Sequence, residues 1–336
     1  MIRTVSLKTT VRTIICIILA SLAVTLIVGC NAGTKGGIVG KKKYLAVNYE
    51  MDKTLRYKFV SSRDIEMEID SSRKSKNGPQ KFSESLEMII AYTPVEVNPY
   101  GQSKIKAVCE SVNVSRSGFK GASSDAMAIA KGKSFTFTVG PTGEMIDKSQ
   151  LEALLKELGK NAFRSDKENG LVKEPDMISD FFATQWFLND AVASIKNSDG
   201  VSIGQSWDSI LSIPSPMIMK KARNVVYTLE NVTREPLGRI ALINSSYSLA
   251  EEASEDWPMP YSGSFKMSGT FGFIKGHKIV EMHGTGSESF NIDTGQALKY
   301  EQQYTMVINS SLIIPLGGVT PRTTIDQKIT MQLLDE

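Results

Sequence analysis

Histidine and cysteine are scarce in this chain, with two histidines and three cysteines among 336 residues. So few imidazoles leave little for a multi-ligand zinc site or a serine–histidine couple. His277, Glu281 and His283 are all odd-numbered and share one face of an expected strand. At the usual rise of a strand the two histidines stand about 20 Å apart, which excludes a shared ion. No His-Glu-x-x-His occurs, and the Ser71/Lys74 and Ser117/Lys120 pairs fall in expected turns. The sequence offers no catalytic residue, no metal ligand and no cofactor, and the expectation is a protein that is not an enzyme.

An excess of charge is missing too. The formal charge of +3 equals the contribution of Arg3, Lys8 and Arg12, so residues 30–336 are neutral. Nucleic acid is therefore not an expected partner, because it demands a basic stripe to neutralise phosphates. One long apolar run exists, Ile14 to Val28, and it is shorter than the roughly 20 residues that a helix needs to cross a bilayer.

That run follows the three basic residues and ends in Ile27-Val28-Gly29-Cys30, a small residue standing immediately before the cysteine. This is the shape of a targeting segment rather than a fold element. Residues 1 to 30 resemble bacterial lipoprotein precursors, in which a type II signal peptidase cuts before a lipidated cysteine. The resemblance implies a signal peptide over 1–29, acylation (diacylglycerol and palmitate-like chains) at Cys30, and an exported protein held in the cell envelope. More than one acyl chain makes such anchoring effectively permanent. Asn31 is compatible with outer-membrane sorting where the source has two membranes. Cys16 leaves with the leader and Cys30 carries lipid, so Cys109 has no disulfide partner and reads as a buried small hydrophobe.

Residues 30–43 form the lipidated cysteine and a flexible tether with four glycines and Lys41-Lys42-Lys43. A coil of this length and composition spans about 20 Å. Residues 44–336 form a mostly β domain with a helical insertion at about 148–198. Alternation marks Leu55, Tyr57 and Phe59, then Ile65, Met67 and Ile69, then Leu86, Met88, Ile90 and Tyr92, and later Leu298 to Ile308, as strands with one buried face. Pro141-Thr142-Gly143 and Asp293-Thr294-Gly295 read as matching turns. The pattern switches to a helical period at Leu151, Leu154, Leu155 and Leu158, with Ser149 as cap and a stop near Gly159. A longer helix is expected from Pro175 and Asp176 to near Gly200, carrying Phe181, Phe182, Trp186 and Phe187. The acidic stretch from Glu251 to Asp256, followed by Pro258 and Pro260, reads as a long loop.

The expected fold is α+β, a large curved antiparallel sheet (unclosed β-barrel-like) with a central helical pair packed on it. In signal type, element order and size it resembles, loosely, the LolA/LolB/LppX lipoproteins and carriers, which hold acyl chains between sheet and helices. That resemblance implies a membrane-anchored, non-enzymatic protein binding a hydrophobic ligand, such as an acyl chain, or an envelope protein. Phe181, Phe182, Trp186 and Phe187 are then candidates to line an apolar pocket. A structural or interaction protein whose aromatics fill the core is the alternative. A hydrolase of envelope polymers, needing only two carboxylates about 5 to 10 Å apart, is the third reading.

Overall fold

A computed structural model describes residues 41–69, 78–118, 125–197, 199–216, 220–254, 257–267, 274–312 and 320–335. The expectations for residues 1–40, including the cleavage site and Cys30, and for most of the 71–80 turn lie outside the described residues.

The strands are β1 (Leu55–Glu68), β2 (Gln80–Val97), β3 (Ser103–Ser117), β4 (Ser134–Val139), β5 (Met145–Asp147), β6 (Phe163–Asp166), β7 (Gly170–Lys173), β8 (Ser206–Ser212), β9 (Ala222–Glu235), β10 (Gly238–Leu249), β11 (Lys266–Met267), β12 (Ile274–Asn291), β13 (Gln296–Leu312) and β14 (Arg322–Leu333). Eleven of them form one antiparallel sheet in the order β5-β4-β3-β2-β1-β14-β13-β12-β10-β9-β8, and β11-β7-β6 form a small second sheet. The large sheet does not close into a barrel. Its free edges are β5 and β8, and the chain passes from one to the other through helices α1 (Ser149–Asn161), α2 (Ile178–Phe187) and α3 (Asp190–Ala193). The expected α+β class with a curved sheet and central helices is what the chain adopts.

Period-two burial makes the sheet. In β1 every odd residue from Leu55 to Met67 is buried while the even ones are more exposed, so one face turns inward along the whole strand. The sequence reading took this stretch as two runs because Ser61 and Arg63 interrupt the apolar pattern; they keep its parity and are buried too. Over β4 and the short 3-10 turn at 126–130, α1 packs Leu151, Leu154, Leu155 and Leu158, all buried, and each contributes about 1.5–3 kcal/mol of hydrophobic stabilisation. Gly159 does not stop the helix, which runs on to Asn161; a Cβ there would meet the Pro260 carbonyl oxygen.

The expected long helix breaks in two. Asn189 leaves helical geometry at φ −125 and its Nδ2 donates to the Tyr49 hydroxyl at 3.1 Å, so the chain turns before α3 begins. In β12, a bulge between Ile279 and Glu281 resets the face. Ile279 and Met282 are buried, whereas Val280, which strict alternation would place on the same face as Met282, is exposed.

The two ends of the sheet differ. At one end lie four tight connections, at 98–102, 140–144, 236–237 and 292–295. The segment 43–53 straps this end: Lys43 pairs with Val201, Asn48 N–H donates to the Gly295 carbonyl at 3.0 Å, and Asp52 N–H to the Pro94 carbonyl at 3.0 Å. Both Thr-Gly turns serve the strap, since Gly143 and Gly295 have φ of 100 and 68 and an added Cβ would collide with Val47 or Asn48. At the other end the connections after β1, β3, β8, β10 and β13 are longer.

Candidate functional site

The inward face is not uniformly apolar. Arg63 of β1 donates from Nε to Glu84 Oε2 at 2.7 Å and from Nη1 to Asp180 Oδ2 at 2.9 Å, and all three side chains are fully buried. Arg116 of β3 donates to Glu84 Oε1 at 2.6 Å and pairs with Asp125, which in turn accepts from Met127 N–H. Ser61 donates to Asp180 Oδ1 at 2.7 Å and Gln327 of β14 to Ser61 at 2.7 Å. Four neighbouring strands are thus tied to the first turn of α2. Burial opposes ionisation of Glu84, and the two guanidiniums more than offset it, holding its pKa below the usual value. Asp180 is pushed upward by burial despite Arg63.

A second cluster fills the other half of the interior. The guanidinium of Arg223, on β9, lies 4.6 Å from the ring centres of both Tyr247 and Tyr304, and its Nη2 donates to Gln302 Oε1 at 2.6 Å. Gly284 and Gly286 of β12 form the floor of this stack. A Cβ at Gly284 would stand 2.4 Å from Tyr304 Cβ, and one at Gly286 2.3 Å from the Tyr247 hydroxyl. Nearby, Asp190 at the start of α3 accepts from the Tyr227 hydroxyl at 2.7 Å and Ser209 at 3.0 Å, while Trp207 Nε1 donates to the Ala191 carbonyl at 2.8 Å. Burial raises Asp190 to about 6. Glu288 is raised to about 8 by burial and then by Asp190, and its Oε1 has no hydrogen-bond partner. The helical crossing is therefore pinned to β1 and β14 through Asp180, to β2 through a 2.6 Å bond from Tyr92 to Gln185, and to β8 and β9 through α3.

Three recesses border this interior. A seam of about 280 Å³ between the β4–β5 turn, α2, α3 and β8 includes Phe137, Trp186, Asp190 and Ser209. A polar trough of about 470 Å³ crosses β13, β14 and β1–β3 and is lined by charged residues, among them Asp64, Arg116, Asp326 and Lys328, interspersed with serines. The third, about 60 Å³, opens at the long-connection end. Its walls are Phe182, Ile213, Trp257 and Met259, and Lys173, Lys220 and Lys221 border it. Lys173 is buried, donates to Asp176 Oδ2 at 2.7 Å and sits 4.4 Å from the Tyr261 ring centre; Tyr261 donates to Asp176 Oδ1 at 2.6 Å. Sites for drug-sized ligands usually measure about 300–1,000 Å³, so this mouth accepts part of a ligand, not an enclosed one.

The aromatic residues singled out from the sequence separate. Phe181 is fully buried, edge-on to Phe135 at 6.1 Å. Phe182 lines the mouth and contacts Trp186 at 5.2 Å between ring centres, while Trp186 lines the seam. The Phe187 side chain lies outside the described residues. Trp257, Met259, Ile213 and the lysines escaped the sequence reading because they come from separate connections that only the fold brings together. The Trp257-Pro258-Met259-Pro260-Tyr261 run was the available signal.

The chemistry-bearing residues are apart. Cys109 is buried and its thiol is pushed up to about 12 by burial. His283 and Glu281 are exposed, 3.7 Å apart, and burial lowers the half-buried His277. The expectation that no Gly-x-Ser-x-Gly elbow occurs is corrected by Gly200-Val201-Ser202-Ile203-Gly204, which has that spacing. It leads into β8 through a turn instead of joining a strand to a helix. Among the described residues no three His, Cys, Asp or Glu side chains gather as a metal site.

No family model matches this chain, and no curated protein matches it. Among the solved structures that are similar in part are the following two. One is lipovitellin, in a structure concerned with its lipid–protein interactions, with a TM-score of 0.44 at 6% identity over 86% of this chain and 26% of that chain. The chain thus spans about a quarter of the lipovitellin chain's length. The other is a putative exported protein with a YmcC-like fold from Bacteroides fragilis, with a TM-score of 0.23 at 8% identity over 84% of this chain and 97% of that one. Neither likeness assigns this chain a ligand.

Proposed function

We propose that the chain is a lipid-anchored, non-enzymatic protein of the cell envelope, held through Cys30, that binds an amphipathic molecule with an acidic head at the mouth between α2, the β8–β9 connection and residues 257–261. The observation that carries this reading is the pairing at one opening of an apolar wall, Phe182, Ile213, Trp257 and Met259, with a border of Lys220 and Lys221; Lys173 beside them is already committed to Asp176. An acyl chain would lie against the aromatic and aliphatic side, and a carboxylate or phosphate would face the lysines. The ligand would not be enclosed between helix and sheet. Phe181, Ile178 and Ala183 fill the space beneath the first part of α2 with no exposed surface, and the seam of about 280 Å³ left beside Trp186 opens outward and has no lysine facing an acidic head among its lining residues. The anchor reading is supported by Ile27-Val28-Gly29-Cys30 and the basic and apolar segments before it.

Oleate titrated into the full-length protein tests the binding. Trp257→Ala is expected to weaken oleate at least 10-fold, since the indole supplies about 2 kcal/mol of apolar contact. Calorimetry that finds no oleate binding to the parent, or equal binding by the variant, contradicts the reading.

A further inference from the structure

The four most exposed large apolar side chains among the described residues are Tyr100 at 84%, Leu237 at 69%, Tyr44 at 66% and Met51 at 53%. They come from parts of the chain far apart in sequence, and the fold gathers all of them at the tight-turn end. Tyr100 is at the tip of the β2–β3 hairpin and Leu237 at the tip of the β9–β10 hairpin, while Tyr44 and Met51 belong to the strap that crosses the same end. Val97, at the end of β2, adds to them at 39%. Soluble surfaces expose single apolar residues freely, but here the four largest exposures all fall along one end of the sheet, spaced across it from the β2–β3 tip to the β9–β10 tip. Tyrosine with aliphatic residues is the composition that settles at the boundary between lipid headgroups and acyl chains.

We infer that this end docks directly on the phospholipid surface to which the chain is anchored, with the hairpin tips and strap at headgroup depth. The inference rests on the anchor at Cys30. The strap is first fastened at Lys43, which pairs with Val201, and a coil of the length between Cys30 and Lys43 spans about 20 Å. The opposite end, with its lysine-bordered mouth, then faces away from that membrane. Most of the charge at this end is neutralised locally, Lys41 and Lys43 apart. Lys42 is paired with Asp199, Lys53 with Glu50 and Arg239 with Asp293, so the docking is mainly apolar and does not require anionic lipid.

Spin labels on the full-length lipidated protein in phosphatidylcholine vesicles test this, one label at a time through Tyr100→Cys, Leu237→Cys and, at the other end, Ile69→Cys. Cys109 is buried and does not compete for label. Labels at 100 and 237 are expected to gain oxygen accessibility and lose that of a water-soluble nickel reagent several-fold relative to the label at 69. Adding phosphatidylglycerol is expected to leave that ratio unchanged. Equal nickel accessibility at all three positions overturns the docking face, as does a contact that appears only with phosphatidylglycerol. Mass spectrometry of Cys30 in the same preparation separates the two readings. An acylated protein with its labels in water refutes the docking alone, and an unmodified Cys30 refutes the anchor and this inference with it.

Discussion

Replacing Glu288 by glutamine is expected to stabilise the protein at pH 8 by on the order of 4 kcal/mol and to change little at pH 4. Glu288 is buried on the inward face of β12, and its carboxyl is raised from 4.5 to about 8 by burial and by Asp190. A carboxyl whose folded pKa is raised supplies its stability in full below the unfolded value. That stability is lost as pH climbs from about 4.5 through about 8, because the unfolded chain releases the proton first. Asp190, raised from 3.8 to about 6, works in the same direction over a lower window. The parent should therefore lose stability steadily from pH 4 to pH 8, and the glutamine variant should lose much less. Urea midpoints across that range provide the measurement. Parallel pH profiles would show that Glu288 ionises in the folded state as readily as in the unfolded one.

Removing Arg63 should cost about 3–5 kcal/mol, the usual penalty for stranding buried charges. In Arg63→Met the apolar stem is nearly preserved, but Asp180 keeps only Ser61 and Gln327 while Glu84 keeps Arg116. Most of the loss then falls on Asp180, and the double change with Asp180→Asn should recover part of it in urea unfolding. Arg56→Met, which breaks an exposed pair with Glu110, should cost no more than about 1 kcal/mol. If both arginines cost the same, the buried network is not what fastens α2 to the sheet.

Both clusters explain what could be read from the sequence and what could not. Alternation identified β1, β2 and β13 because their inward residues are mostly apolar. The same alternation contained Arg63, Glu84, Arg223, Glu288 and Gln327, each in step with buried hydrophobic neighbours two residues away, but polarity alone made them look like interruptions. Parity was the better guide than hydrophobicity. The helical insertion was legible from Leu151 to Leu158; the break at Asn189 was not, because it depends on Tyr49, which is distant in sequence. The bulge in β12 likewise moved Val280 outward without any local signal. The mouth was the least legible feature, since Lys173, Ile213 and Trp257 become neighbours only after the chain has crossed from β5 to β8.

The functional account turns on one contrast, a helix-filled interior and a small amphipathic mouth. Photo-crosslinking the full-length protein with a long-chain fatty acid carrying a diazirine at the end of its tail, followed by peptide mapping, tests it most directly. Adducts are expected on residues 257–261 and on Ile213 or Phe182, and they should disappear when unlabelled oleate competes. Adducts on Phe181, Phe135 or Tyr300 would place the chain between helix and sheet and contradict a filled interior, and the absence of competable adducts would contradict ligand binding at the mouth.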